Sequence, residues 1–375
     1  MKLDASVIII GGGLAGLTSA IHLSRAGIEV LLIEKNEYPH HKVCGEYISN
    51  EVLPYLNWLG IHIEDLKPAL INKFELSSTL GKKINVELPL GGFGISRYTL
   101  DHYLYQKAIE SGCKIIHETV ANIEFETDFF TISTTSNTYT TKLVMGAYGK
   151  RNALDYKLNR NFINKKSGWL AVKAHYKGDF NSDTVALHHF KGGYCGVSTV
   201  ENQLLNVCYL VNYNSFKSYK NIAEHQQKVL YQNPFLKEIL TNSQVQFDSP
   251  LSISQISFQA KERVKNHVLM VGDTAGLIHP LCGNGMSMAI HSAKICSELL
   301  IAYLDGEISS REELEHKYEK QWTANFNARL KTGKILSSLL GNERLADFLI
   351  NNLAKFPALL PKIIAKTHGK PIEIF

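Results

Sequence analysis

The chain has 375 residues, 45% of them hydrophobic, enough to bury a large core and compatible with two domains sharing one cleft. Its 40 basic and 35 acidic residues leave a formal net charge of +5 without a long basic run, which gives nucleic-acid binding no support. Six scattered cysteines (Cys44, Cys113, Cys195, Cys208, Cys282, Cys296) form neither Cys-x-x-Cys pairs nor a disulfide framework, a usage that predicts a reducing, cytoplasmic setting without structural zinc.

Lys2 ahead of an apolar run imitates a leader peptide, but Asp4 and the glycines from 11 to 13 argue against one. No later segment reaches the roughly 18 apolar residues of a spanning helix, so the expectation is a soluble or membrane-surface protein. Residues 6–10 read as a buried strand, followed by Gly11-Gly12-Gly13-Leu14-Ala15-Gly16 and a helix that Gly27 ends. Gly11 permits the tight turn, Gly13 lets backbone approach a pyrophosphate, and Gly16 lets the helix pack closely on the sheet. The unpaired N–H groups of the first helical turn, at Leu14 and Ala15, face the phosphates with a partial positive charge. Residues 28–33 form the next parallel strand and finish at Glu34, about 20 positions past the glycines, where a carboxylate accepts from ribose hydroxyls. A 2′-phosphate would be repelled there, so the site favours the ADP part of FAD or NAD over NADP.

A polar, His-rich loop over 35–43 leads into Cys44-Gly45-Glu46 and a short amphipathic helix near 51–59. Residues 72–90 alternate as strands, and Gly91-Gly92-Phe93-Gly94 marks a return crossing. Ser96-Arg97 opens a helix to about residue 111, with Gly112 after it, and 114–117 is a third parallel strand. Residues 120–125, 129–134 and 139–145 read as a β-meander. Strands over 170–176, 185–190, 194–200 and 204–211 form one antiparallel sheet, with a helix near 222–231 and a strand pair around 247–258. Residues 268–271 return as a buried strand, and from Met286 onward the chain is mostly helical. There are no internal repeats.

The buried strand ends at Gly272-Asp273-Thr274-Ala275-Gly276, followed by Pro280 and Gly283-Asn284-Gly285-Met286 at the start of a long helix. An aspartate after a strand accepts from a ribitol hydroxyl. Backbone N–H groups at Gly285 would meet flavin N1 and the C2 carbonyl, where negative charge gathers on reduction. That is a reason to prefer FAD to NAD.

With these motifs, Lys42-Val43-Cys44-Gly45-Glu46 and Arg97 with Leu100-Asp101, residues 3–300 resemble the p-hydroxybenzoate hydroxylase superfamily of FAD oxidoreductases, and within it the geranylgeranyl reductase family. The resemblance implies that Arg97 and Val120 touch FAD, Asp273 its ribitol, and Cys44-Gly45 the isoalloxazine surroundings, with Lys35 and Lys42 also beside the cofactor. Two departures stand out. Tyr148 replaces an acid linked to reduced-pyridine-nucleotide binding, which leaves NAD(P)H or another electron donor open. The segment Tyr194-Cys195-Gly196-Val197-Ser198-Thr199 lacks the tryptophan and proline of related reductases and halogenases, so a halogenase is not expected.

Cys44 is either a proton donor at the flavin face or a small packing residue. Glu46 either hydrogen-bonds cofactor or substrate or is solvated, and His279, before Pro280, is the one histidine candidate for catalysis. The pairs His40-His41 and His188-His189 point to opposite faces of any strand and have no carboxylate cluster, so no metal is expected. Trp169, Tyr176, Phe190, Tyr194 and Tyr209 either line an apolar substrate cavity or are core. The apolar, basic stretch 345–364, broken by Pro357 and Pro361, touches a membrane, covers a lipid tunnel, or packs on its own domain.

The expected architecture is α/β: a discontinuous Rossmann-like FAD-binding domain (1–71, 91–158, 259–310), an inserted antiparallel-sheet substrate domain (72–90, 159–258) and a helical region (311–375). The expected activity is reduction of a carbon–carbon double bond in a large apolar, isoprenoid or lipid-like substrate by reduced flavin. The alternatives are a monooxygenase acting on an aromatic or phenolic lipid and a non-redox lipid-binding escort. The oligomeric state stays open.

Overall fold

The computed structural model describes residues 3–341 and 343–374; Lys2 of the leader argument, and Asn342 and Phe375 of the helical region, lie outside them. In chain order come β1 (Val7–Ile10), α1 (Leu14–Arg25), β2 (Val30–Ile33), β3 (Tyr47–Ser49), β4 (Ala69–Ser77), β5 (Lys83–Gly94), α2 (Arg97–Glu110), β6 (Lys114–Ile116), β7 (Val120–Glu126), β8 (Phe129–Thr134), β9 (Thr138–Thr141) and β10 (Leu143–Gly146). The second half holds β11 (Trp169–Lys177), β12 (Thr184–Phe190), β13 (Gly193–Thr199), β14 (Leu205–Asn212), α3 (Pro234–Asn242), β15 (Gln244–Val245), β16 (Leu251–Ser254), β17 (Val264–Lys265) and β18 (Val268–Met270). Helices α4 (Gly285–Leu304), α5 (Arg311–Leu340), α6 (Glu343–Leu353) and α7 (Leu359–Ala365) follow, and shorter helical turns join the elements.

The first sheet has the order β17-β18-β10-β1-β2-β6, parallel from β18 to β6. Its central strands are apolar at every position and buried throughout, as a sheet covered on both faces requires. Helix α1 packs against it closely because Gly16 has no side chain: a Cβ there would overlap the Gly11 carbonyl. Gly11 itself is at φ +105°. The turn glycines thus hold strand and helix in contact, as the spacing predicts.

The second sheet has the order β15-β11-β14-β13-β12-β4-β5-β3, with β16 also on β11. Along β11 and β14, Leu170, Val172, Ala174, Tyr176, Val207, Tyr209 and Val211 bury one face in a core shared with α3. The alternate residues, among them Lys173, His175, Asn206 and Cys208, take the other face. A small third sheet, β7-β8-β9, forms its own ladder and packs Ile123, Phe130 and Ile132 into the core of the first sheet.

Four local expectations change. Residues 139–145 are not one meander strand: β9 ends the meander, and β10 crosses into the parallel sheet, where Leu143, Val144 and Met145 are buried on both sides. The glycines at 91–94 do not break a strand; they lie inside β5, where a Cβ on Gly94 would overlap the Thr199 carbonyl and one on Gly92 would come within 2.5 Å of the Ile48 carbonyl oxygen. The expected pair around 247–258 is replaced by β15 and β16, each bonded to β11 rather than to the other. Helix α3 escaped the pattern reading; Asn233 caps it, accepting from the Phe235 and Leu236 N–H groups at 3.0 and 3.3 Å.

The last helices return to the first half of the chain. Buried Glu51 accepts from Arg329 at 3.1 Å, from Asn284 Nδ2 at 3.2 Å and from the Gly369 N–H, while the Ile372 N–H donates to the Glu51 carbonyl. Among the described residues no helix is long and apolar enough to cross a membrane.

Candidate active site

One cavity of about 840 Å³ runs between the two large sheets and on to the C-terminal helices. At one end it is lined by Gly11, Gly13, Leu14, Ala15, Glu34 and Lys35. Gly13 is the N-cap of α1 and supplies no side-chain cap, so the first-turn N–H groups are left for the cavity. A Cβ on Gly13 would meet only Arg97 Nη2, at 3.7 Å, which leaves space against the turn. Glu34 is 7% exposed and already accepts from the Gly12 N–H at 2.7 Å and from the Asn36 N–H at 3.0 Å. Its carboxylate therefore has a fixed orientation at the cavity edge.

Gly272, Asp273, Pro280, Gly283, Gly285 and Met286 line the middle. Asp273 is half-buried, and its carboxylate takes no hydrogen bond among the described residues; its backbone carbonyl accepts from Lys261 Nζ at 2.7 Å. The α4 N-terminus is likewise open. Asn284 cannot cap it because its side chain is held by Glu51 and by Arg329 at 3.1 Å. Two uncapped helix ends thus face one space, and each is a ready acceptor site for negative charge.

The loop 42–46 forms the wall between them. It hangs on the cavity face of the antiparallel sheet: Asn206 Nδ2 donates to the Cys44 carbonyl at 3.1 Å and Ser198 Oγ to the Gly45 carbonyl at 3.3 Å. The Cys44 thiol donates to Met286 Sδ at 3.5 Å. Lys42 binds buried Asp101 at 2.8 Å, and Arg97 grips the same carboxylate with two bonds of 2.6 and 2.7 Å. Burial alone would raise the Asp101 carboxyl, but the Arg97 and Lys42 charges outweigh it and hold it below the ordinary range.

Glu46 is fully buried at φ +54°. Its carboxylate pairs with Lys173 Nζ, meets His175 Nε2 at 2.7 Å and accepts the Arg97 N–H at 2.8 Å. Burial would raise this acid too, yet the His175 hydrogen bond and the Lys173 charge keep it lowered. Glu46 is therefore an ionised anchor of the loop, unsuited to donating a proton. Lys173 and His175 went unnoticed in the pattern; the available signal was a lysine and a histidine two apart in an apolar strand.

Four expected cofactor or catalytic residues lie off the cavity lining. Gly16 and Asn284 stand behind it in the two helix starts, and Val120 begins the small third sheet. His279 is 5% exposed, with both ring nitrogens unpartnered among the described residues, and it packs among Trp169, Tyr194 and Phe258; burial pushes its pKa down to about 4. Its neutral ring packs behind the wall. Tyr148 lines the cavity, its hydroxyl on Met270 Sδ at 3.4 Å. Cys208 and Cys282 also line it, each thiol pushed up to about 12 by burial.

Of the sheet aromatics, Tyr194 reaches the cavity, whereas the rings of Tyr176, Phe190 and Tyr209 belong to the core on the far face and Trp169 packs on His279. Beyond Tyr194 the lining becomes aliphatic: Leu76, Leu187, Leu210, Ile253 and Ile256 on the sheet side, and Leu336, Leu340, Leu349, Leu353, Leu360 and Ile364 from the last helices. The cavity is thus polar and amide-rich at one end and apolar at the other.

The FAD binding domain family matches residues 4–327. Digeranylgeranylglycerophospholipid reductase 2 of Methanothermobacter thermautotrophicus is 25% identical over 373 residues, covering 94% of this chain and 92% of the relative. A geranylgeranyl bacteriochlorophyll reductase-like protein from Thermoplasma acidophilum shares the fold with a TM-score of 0.78 at 19% identity, covering 97% of this chain and 96% of that one. So does a flavin-dependent brominase, with a TM-score of 0.79 at 17% identity and coverage of 96% and 93%.

Proposed function

The chain belongs to the FAD binding domain family and is an FAD-dependent oxidoreductase, and from that premise we propose that it reduces a carbon–carbon double bond in a long, apolar, isoprenoid-like substrate. The observation that carries this reading is the continuity of the cavity. The amide-rich end runs without interruption into a chamber walled by leucine and isoleucine.

The residues fit FAD. The uncapped first turn of α1 suits the pyrophosphate, Glu34 the ribose, and the unpartnered Asp273 carboxylate the ribitol. The open α4 start at Gly285 and Met286 suits the ring end that gains negative charge. The chemistry supplied by bound FAD is transfer of an electron pair to the double bond as hydride.

The chain's own groups do the rest. Glu46, with Lys173 and His175, fixes the loop, so that Cys44 stays at the cavity wall beside Met286. In this reading Cys44 gives its Sγ proton to the carbon that does not receive hydride. The aliphatic chamber excludes water and aligns the chain by packing alone. The likeness to reductases of geranylgeranyl lipids supports the substrate class.

The test is single turnover. Enzyme photoreduced without oxygen should reoxidise on addition of a polyprenyl lipid and release product with one double bond fewer. Failure with every polyprenyl or enone substrate contradicts the reading, and oxygen uptake coupled to a hydroxylated product replaces it with hydroxylation.

A further inference from the structure

The chain's charge is unevenly placed. Residues 331–370 carry seven basic and two acidic residues, so the entire formal excess of five positive charges falls on this segment and the remainder balances. The same segment has two apolar faces. Inward, Leu340, Leu349, Leu353 and Ile364 line the chamber while only half-buried. Outward, Ile335, Phe348 and Phe356 are 61, 62 and 63% exposed, and Lys334, Lys355 and Lys362 are exposed along the same stretch. The β4–β5 turn extends this face: Leu80 is 85% exposed, and its neighbour Thr79 donates its N–H to Asp347 at 3.2 Å. That bond also engages one of the segment's two acids.

We propose that this outer face docks on the surface of an anionic lipid bilayer, with Phe348 and Phe356 in the acyl boundary and Lys355 and Lys362 on the headgroups. Exposed aromatic side chains flanked by cations suit an apolar layer beneath a negative one. A second copy of this chain would set the same positive excess against itself. Docked in this way, the chamber is separated from acyl chains by one layer of half-buried leucines, a dry route for a lipid substrate. That route rests on the reading above; the docking does not.

The experiment is co-sedimentation of the FAD-loaded full chain with phosphatidylcholine vesicles, with and without phosphatidylglycerol. Binding should need phosphatidylglycerol and fall as salt screens the charges. The pair Lys355→Glu and Lys362→Glu should weaken it by about tenfold or more. The pair Phe348→Ser and Phe356→Ser should weaken it with flavin content and melting temperature unchanged. Absence of binding, equal binding to neutral vesicles, or a dimer that either double variant converts to monomer each overturns the proposal. None of these readouts depends on turnover, so they separate this proposal from the reductase reading.

Discussion

Glu46 shows how surroundings decide chemistry at the scale of one residue. As a loop carboxylate next to a cysteine it invites an acid–base role, but Lys173 and His175 hold it ionised in full burial. Glu46→Gln leaves Lys173 buried without its charge partner and should cost about 3 kcal/mol or more in denaturant unfolding at neutral pH. Because the folded-state pKa is lowered, this contribution is complete above the ordinary carboxylate value of 4.5 and is lost as pH falls through the folded value. The gap between wild type and Glu46→Gln should therefore narrow below about pH 4.5. At Asp273 the expected effect is on cofactor retention: Asp273→Ala removes a hydrogen-bond acceptor from the proposed ribitol site and should weaken FAD binding by about 1 to 3 kcal/mol, read as flavin lost on dialysis. Glu34 and Asp273 could be placed at the cavity from their local motifs, and Cys44 from the family resemblance. Lys173 and His175 were not, since their meaning comes from Glu46, more than a hundred positions earlier.

At the scale of elements, the turn at 11–16 was readable because its geometry is set by neighbours in the chain. Gly16→Val should push α1 off the sheet and abolish flavin binding, since even one methyl overlaps the Gly11 carbonyl; a variant with normal absorbance would contradict that packing. Elements decided by distant partners were misread. Nothing local separates β9 from β10, and only the parallel neighbours β1 and β18 explain why Leu143 to Met145 leave the meander. The glycines of β5 look like a turn, but their lack of side chains serves the close approach of Thr199 and Ile48. Helix α3 is announced by Asn233-Pro234, yet Asn233 also ties Ser77, Ser78 and His189 together across the sheet, contacts that a linear reading does not contain.

For the whole molecule, the class of fold was readable from the order of strand, glycine turn, helix and acid, joined to a second glycine loop near residue 283. The chamber was not, because its walls come from the second sheet and from helices far later in the chain. Its apolar character gives a prediction that separates binding of substrate from binding of cofactor. Leu353→Asp puts a carboxylate at the chamber wall, and kcat/KM for a polyprenyl substrate should fall by about tenfold or more with FAD content unchanged. Loss of flavin in that variant would show the two ends to be less separate than the lining implies.

The most direct measurement is a crystal structure of the complex with FAD and an unsaturated polyprenyl lipid. The account predicts FAD stretched between the α1 and α4 helix starts, with the lipid chain between Leu187 and Leu353 and a double bond beside Cys44. FAD lying elsewhere, or a lipid excluded from the aliphatic end of the cavity, would contradict it.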